Sequence, residues 1–509
     1  LWTRITPKAE AGAPIAYRWS LNPIDRRAGG AKSGSGVTGP DRDYTVKVDV
    51  RGLDPARSYT FEFEANGVTS PMGRTRTLPQ GETREVVLAV ASCSLYPNGY
   101  FNAYQAIADL PKLDAVIHLG DYIYEYGGEG SYGMTSAVAA ERPHDPPHEI
   151  VTLQDYRVRH AQYKSDPALQ AAHARAPWIV TWDDHETAND SWMGGAQNHQ
   201  PETEGDWNTR KAVALKAYFE WMPIRDPAPG QGLEDINRAF HFGDLASLIM
   251  LETRLTARDY QLHYTRDLPM VDGKPDVAAL RAKLEDPSRR MMSPAQEAWL
   301  AAELTGSVKG GRTWQILGNQ VVMARTDVPS PRAVLGEAAV AAAIATQPEE
   351  ITARVAQMEN LAALGLPYAL DMWDGYPAAR ERVYDAVEAA GARAIVISGD
   401  SHAFWANELH DDGGVLRAVE FGTTGITSPG AGDYVKGLPV GELYTKGAKE
   451  VVYSDHDAKG FILLTLTPEE ARGDLMVVSS IVSRTYETSV RKAFTVTPEA
   501  GGVSPLKPV

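Results

Sequence analysis

The chain has 509 residues, a mass of 55.3 kDa and a formal net charge of −16. Hydrophobic residues make up 43% and charged residues 23%, which excludes disordered, collagen-like and coiled-coil chains and leaves a globular protein of roughly two to four domains. The acidic balance argues against nucleic acid and anionic membranes as partners, and no apolar run reaches the roughly 18 residues that span a bilayer.

The chain opens at Leu1 without an initiator Met or a charged-then-apolar leader, as expected of a trimmed chain or one whose signal has been removed. Residues 1–82 hold short alternating runs, AYRWSL, DYTVKVDV, SYTFEFEA and TRTLP, separated by Gly- and Pro-rich turns. That period of two predicts a small all-β sandwich. The polar stretch TLPQGETRE is the expected linker. From residue 83 the pattern becomes α/β. Apolar runs EVVLAVASC, DAVIHLGDY, WIVTWDD, ASLIMLETR, TWQILGNQ and ARAIVISGD alternate with helical segments such as LQDYRVRHAQYKSDPALQAAHA and YPAARERVYDAVEAAG. Segment 333–363 reads as Ala-rich helix, 126–148 as a long loop and the tail GGVSPLKPV as loose.

In open α/β sheets ligands sit at the carboxyl ends of strands. Here those ends carry Cys93, Asp121 with Tyr124, Asp183-Asp184-His185-Glu186, Asn319-Gln320, and Asp400 with His402. Cys93 is the sole cysteine, so neither an internal disulfide nor a CxxC zinc site can form. A carboxylate such as Asp121 can bridge two cations about 4 Å apart, the separation suited to phosphoester hydrolysis. Thiolate Cys93 and phenolate Tyr124 suit Fe(III), while the harder oxygens of Asp184, Asn319 and Asp400 suit Ca, Mg or Mn. The ligand types therefore point to two unlike metals. Arg254, with Arg258 as the alternative, is the candidate for binding phosphate oxygens bidentately.

The blocks SCS…GYFNAY, HLGDYIYEY, TWDDHETAND, RKAVALKAYFEWMPIR, ILGNQ and SGDSHAFW resemble the core of the PhoD-like alkaline phosphatases and phosphodiesterases. That family lies within the metallophosphoesterase superfamily, which includes purple acid phosphatases. LWTR…GLDP…SYTFEF…GRTRTLP resembles the family's N-terminal fibronectin-III- or Ig-like domain. The resemblance implies domains over 1–82 (β-sandwich) and 83–509 (metallophosphoesterase-type catalytic core). It implies that Asp121 bridges two metals and that Cys93, Tyr124 and His402 bind iron. Asp184 and Asp400 would bind calcium or another divalent ion, with either Asn319 or Gln320. His185 would act as general acid or hydrogen-bond donor. The implied reaction is attack on phosphorus by a metal-activated hydroxide. The implied substrates are small phosphate esters, with a phospholipase-D-like diester activity as the alternative. Export by the twin-arginine route, with the signal removed, is also implied; oligomeric state is not.

Other residues have blander readings. Asp183 orients its neighbours or caps a helix, with metal ligation as the alternative, and Asn189 and Asp190 cap a helix after DDHE, with contact to substrate or metal as the alternative. His118 is a buried, satisfied histidine, and His144, His148 and His173 lie on the surface or in loops. His456 sits in a turn, and Trp373 and Asp374 either line the cleft or pack. Competing readings are a metal-free hydrolase with paired carboxylates and a calcium-dependent adhesion protein; neither accounts for the Cys93, Tyr124 and His402 set.

Overall fold

Six of the apolar runs form strands buried along their whole length: Val86–Ala91, Ala115–His118, Trp178–Val180, Ala246–Met250, Trp314–Gly318 and Ala394–Ser398. Burial on both faces is the mark of parallel strands covered on each side. A computed structural model describes residues 1–7, 12–25, 30–128, 132, 136–345 and 347–509 and shows what covers them.

The strands belong to two seven-stranded sheets. In the first, Trp178–Val180, Ala115–His118 and Val86–Ala91 run parallel, and Lys459–Leu466 then pairs antiparallel with Val86–Ala91. In the second, Ala246–Met250, Trp314–Gly318, Ala394–Ser398 and Leu416–Gly422 are parallel neighbours. Alternation assigns the faces. Leu88, Val90, Ile117, Leu248, Ile316, Ile395 and Ile397 fill one cluster between the sheets. The alternate residues of these strands pack outward on helices: Ala89, Ala91, Val116 and Val180 on one side, Ile249, Leu317 and Val396 on the other. The result is a mixed α/β layering of helix, sheet, sheet and helix, with the carboxyl ends of the parallel strands as its business end.

Strands before residue 77 pair only with one another. A five-stranded sheet uses Ile15–Pro23, Lys32–Thr38, Ser58–Ala65, Val68–Thr69 and Gly73–Arg76, and Trp2–Arg4 pairs with Thr45–Lys47. This all-β region is tied to the rest by Arg76–Asp114 (2.6 Å) and by Trp2 Nε1 donating to the Glu220 carbonyl (2.9 Å).

Several expectations are corrected. The single helix read over 153–174 is two, Leu153–Lys164 and Pro167–Arg175, because Asp166 caps the second and Pro167 cannot continue the first. Segment 333–363 is broken into Pro331–Leu335, Glu337–Ile344 and Glu349–Leu364, with Gly336 between the first two. The tail is not loose. Val503, Ser504 and Leu506 are buried, and Lys507–Pro508 pairs with Thr488–Val496. His144 is buried, and His173 stacks on Trp178 at 3.8 Å between centroids. No helix follows DDHE until Pro201–Glu204, so Asn189 and Asp190 cap nothing there. In the loop 126–148, residues 129–131 and 133–135 lie outside the described residues. Among the described residues no helix is long and apolar enough to cross a membrane.

Candidate metal centre

The two sheets meet at the carboxyl ends of their strands, where Ser92 pairs with Gly425 in an isolated parallel bridge. The next residue, Cys93, has left-handed backbone geometry (φ 61°). Asp121 (54°), Asp400 (62°) and His402 (56°) share it. Non-glycine residues held there cost about 1–3 kcal/mol each and cluster at functional sites. Gly120 makes one close approach possible, since a Cβ there would lie 2.3 Å from the Asp183 nitrogen. Glu186 clamps the two loops by accepting from the backbone N–H groups of Asp121 (2.9 Å), Tyr122 (2.6 Å) and Asp183 (2.8 Å).

These strand ends bring the expected residues into three overlapping clusters, each with its candidate ligand atoms within 4.8 Å of one another. The first is Cys93, Asp121 and His402; the second is Asp121, Asp184 and His185; the third is Asp183, Asp184 and Asp400. Tyr124 joins the first. Its hydroxyl lies 3.0 Å from Asp121 Oδ2, 3.2 Å from His402 Nε2 and 2.6 Å from Ser428 Oγ. Asp121 and Asp184 each belong to two clusters, the arrangement expected of bridging carboxylates.

The donor set fits metal ions. Asp184 Oδ1 is buried without a hydrogen-bond partner, its nearest cation being Arg254 Nη2 at 3.8 Å. Burial, reinforced by Asp121, pushes the Cys93 thiol and the Tyr124 phenol well above their usual ranges. Burial also raises the Asp400 carboxyl against the pull of Arg254, and Asp371 and Asp184 add to the rise. A multivalent cation among these groups favours every one of their ionised forms.

His185 stands apart in role. Its Nδ1 lies 2.6 Å from Glu125 Oε2, leaving Nε2 as the ring nitrogen available to the site. Glu125 is fully buried and also accepts from Asn189 N (2.7 Å) and Asn198 Nδ2 (2.9 Å). The ring packs on Tyr124 at 4.2 Å. Burial opposes a charge on His185, but Glu125, Asp184 and Asp121 outweigh it and hold the imidazole well above its ordinary range.

Arg254 is expected to reach phosphate, and the structure gives its guanidinium other work. It is wholly buried, with Nε on Asp183, Nη1 on both oxygens of Asp371 (2.9 and 2.8 Å) and Nη2 on Asp400 (2.9 Å). All three of its guanidinium nitrogens are thus engaged by carboxylates. Arg258 is held likewise by Asp371, at 2.5 Å. Asp183 caps no helix, and its partner is Arg254.

The Gln320 side-chain amide acts as a strut. It bonds Thr181 (2.9 Å), Trp182 (3.0 Å), Leu251 (3.1 Å) and Thr253 (2.6 Å), joining strand ends of both sheets. Asn319 Oδ1 accepts from Trp373 Nε1 (3.0 Å) and keeps a second lone pair. Trp373 therefore braces Asn319, and Asp374 packs against Thr326 and Arg380. His118 is buried and bonded to the Tyr104 hydroxyl (2.8 Å).

Sequence reasoning misses Glu125, Asp371 and Glu252. Glu125 directly follows Tyr124 and could have been found as the carboxylate that the His185 ring requires. Glu252 ends its strand as the others do, and accepts from Trp182 Nε1 and the Arg254 and Leu255 amides. Asp371 sits in a loop with no periodic signal.

Comparison with known proteins follows the same lines. Family models match residues 88–475 as "PhoD-like phosphatase" and residues 1–79 as "PhoD-like phosphatase, N-terminal domain". Alkaline phosphatase D of Bacillus subtilis (strain 168) is 31% identical over 507 residues, covering 97% of this chain and 77% of that protein. A solved structure of PhoD superposes with a TM-score of 0.80 at 30% identity, covering 100% of this chain and 88% of that one.

Proposed function

The chain belongs to the PhoD-like phosphatase family of phosphoester hydrolases, and on that premise we propose that it hydrolyses small phosphate mono- and diesters at an iron–calcium centre. Cys93, Asp121, Tyr124 and His402 would hold Fe(III). Asp121, Asp184 and Asp400, with Asn319 rather than Gln320, would hold calcium or another divalent ion. The observation that carries this reading is the chain of three donor clusters sharing Asp121 and Asp184. A thiolate and a phenolate in one cluster and carboxylates in the other match two metals of unlike hardness. When bound, the metals would offset the phosphate charge and activate water as the nucleophile.

The protein's own groups supply the rest. Glu125 fixes the His185 ring through Nδ1, so Nε2 carries a proton toward the leaving oxygen. The Tyr124 ring, packed against His185, limits its tilt. Arg254 offsets part of the negative charge of Asp183, Asp371 and Asp400, which would otherwise repel an anionic ester more strongly from a chain of net charge −16. It acts as counter-ion rather than as a phosphate clamp. Burial of these residues excludes bulk water and strengthens each interaction.

Elemental analysis and turnover of 4-nitrophenyl and bis-4-nitrophenyl phosphate test the reading. The expected result is iron plus calcium, with activity abolished by chelation and restored by calcium. Full turnover by a metal-free preparation would overturn it.

Two further parts of the proposal concern organisation. Residues 1–82 would form a fibronectin-III- or Ig-like domain before a metallophosphoesterase-type core over 83–509. The self-contained pairing of strands before residue 77 supports that division. Export of the folded enzyme by the twin-arginine route agrees with a fold that needs no disulfide, and fractionation of cells making the full-length protein tests it.

A further inference from the structure

Beside the metal centre lies a cavity of about 290 Å³ that the hydrolytic chemistry does not use. Ser401 and His402 form part of its wall, so it continues directly from the first donor cluster. The rest is mainly apolar and aromatic: Met358, Met372, Trp405, Tyr434 and Tyr444. Thr326, Ser401 and an exposed Arg354 that lies over the Tyr434 ring add polar groups to the lining, but the buried polar side chain left without a partner is His456. His456 is 5% exposed, and neither of its ring nitrogens has a hydrogen-bond partner. Its ring stacks on Tyr444 (5.5 Å, 16°) and meets Trp405 edge-on (5.0 Å, 79°), so it stands among the cavity walls.

A buried imidazole without partners gives up the hydrogen bonds that water would make to it and gains none in exchange. It is therefore a poor packing residue where a Phe or Leu would fit, and a good one where a ligand completes it. A cavity of about 150 Å³ lined by apolar groups holds benzene, so the space here suits one substituted ring rather than a long chain. Rings at right angles, such as Trp405 against Tyr444 (72°), offer a face and an edge to a flat guest.

Building on the phosphoesterase reading of the adjoining site, we propose that this cavity receives the organic group of the ester, a flat aromatic ring bearing one hydrogen-bonding substituent, with His456 as its polar partner. The metal centre would grip the phosphate while the cavity selects what the phosphate is attached to.

Competitive inhibition of the metal-loaded enzyme by inorganic phosphate, methylphosphonate, phenylphosphonate and 4-hydroxyphenylphosphonate tests this. Phenylphosphonate is expected to bind roughly ten-fold more tightly than methylphosphonate, from the apolar area of one buried ring, and 4-hydroxyphenylphosphonate more tightly still. Ala431→Trp and, independently, Ala369→Trp place bulk in the cavity. Each should erase the phenyl advantage while leaving inhibition by methylphosphonate unchanged. His456→Leu should erase only the added gain from the hydroxyl. A phenyl-to-methyl ratio near one in the wild type, a ratio that survives both Trp substitutions, or a hydroxyl gain that survives His456→Leu would overturn the proposal. Failure of phosphate and methylphosphonate to inhibit at all would overturn the reading of the metal site, and the proposal with it.

Discussion

Glu125→Gln tests the acid role of His185. The substitution keeps the side-chain volume and removes one charge from a fully buried position. Oε1 of Glu125 serves Asn189 and Asn198, and Oε2 serves His185 Nδ1. An amide that keeps its oxygen on the two asparagines turns its NH₂ group toward Nδ1. His185 is then held as a neutral ring that accepts at Nδ1 and keeps its proton at Nε2. The proton remains in place, but the imidazolium that gives it up readily is lost. Charge-assisted hydrogen bonds contribute about 1.5–3 kcal/mol, which corresponds to roughly 10- to 100-fold in rate. The loss should depend on the leaving group. Alkyl phosphates need protonation and should slow by about 100-fold, within the 10²–10⁴ range of general acid catalysis. 4-Nitrophenyl phosphate, whose phenolate leaves unaided, should slow less than about 10-fold on the same argument. The assay is kcat across a series of phosphate esters of graded leaving-group basicity, with thermal melts to confirm folding. An equal loss across the series would refute the acid role and leave Glu125 a structural residue.

Cys93→Ala removes a thiol from the cluster with Asp121 and His402 and should lose iron by elemental analysis, with activity, while circular dichroism stays native. An active, iron-replete variant would contradict the assignment. Tyr124→Phe should remove the visible charge-transfer absorption of the iron-loaded protein, a change read directly in the spectrum. Arg254→Gln leaves Asp183, Asp371 and Asp400 without their shared counter-ion. Breaking such a buried pair costs about 3–5 kcal/mol, so the melting temperature should drop; a native melting temperature with only KM raised would restore the phosphate-clamp reading. Acid should destabilise the fold through its buried histidines. Burial lowers His118 to about 3 and His456 to about 4, both from 6.5. The unfolded chain then binds more protons than the folded one between those values and 6.5, so stability falls as pH drops through that window. Urea midpoints between pH 7 and 4 should show the slope, and His456→Leu should flatten it; an unchanged slope would refute the contribution.

The candidate site was legible because buried strands are unbroken apolar runs, so a Cys or Asp just beyond one is conspicuous. Cys93, Asp121, Asp184 and Asp400 were found that way. Carboxylates that serve other side chains carry no such mark. Asp371 meets Arg254 across 117 residues of sequence, and only folding brings the two together. Arg254 itself was found at a strand end, but its partners, which decide what it can bind, were not. The C-terminal strands were missed for a related reason. Lys459–Leu466 and Ala471–Val478 pair with elements far away or with each other, and pairing partners are not written in local periodicity. His144, His173 and His456 were read from polar or turn-like surroundings, whereas each is packed against aromatic rings.

The position of Val86–Ala91 sets when this enzyme can mature. That strand leads to Cys93, and one of its two neighbours, Lys459–Leu466, is made about 370 residues later. At roughly 5–20 residues per second on the ribosome, Cys93 waits on the order of 20–70 s for the strand that completes its sheet. Asp400 and His402 also emerge late. A metal held by Cys93, Asp121 and His402 would therefore have no finished cradle during most of synthesis. A truncation ending before residue 459 should bind no iron, however well its earlier helices form.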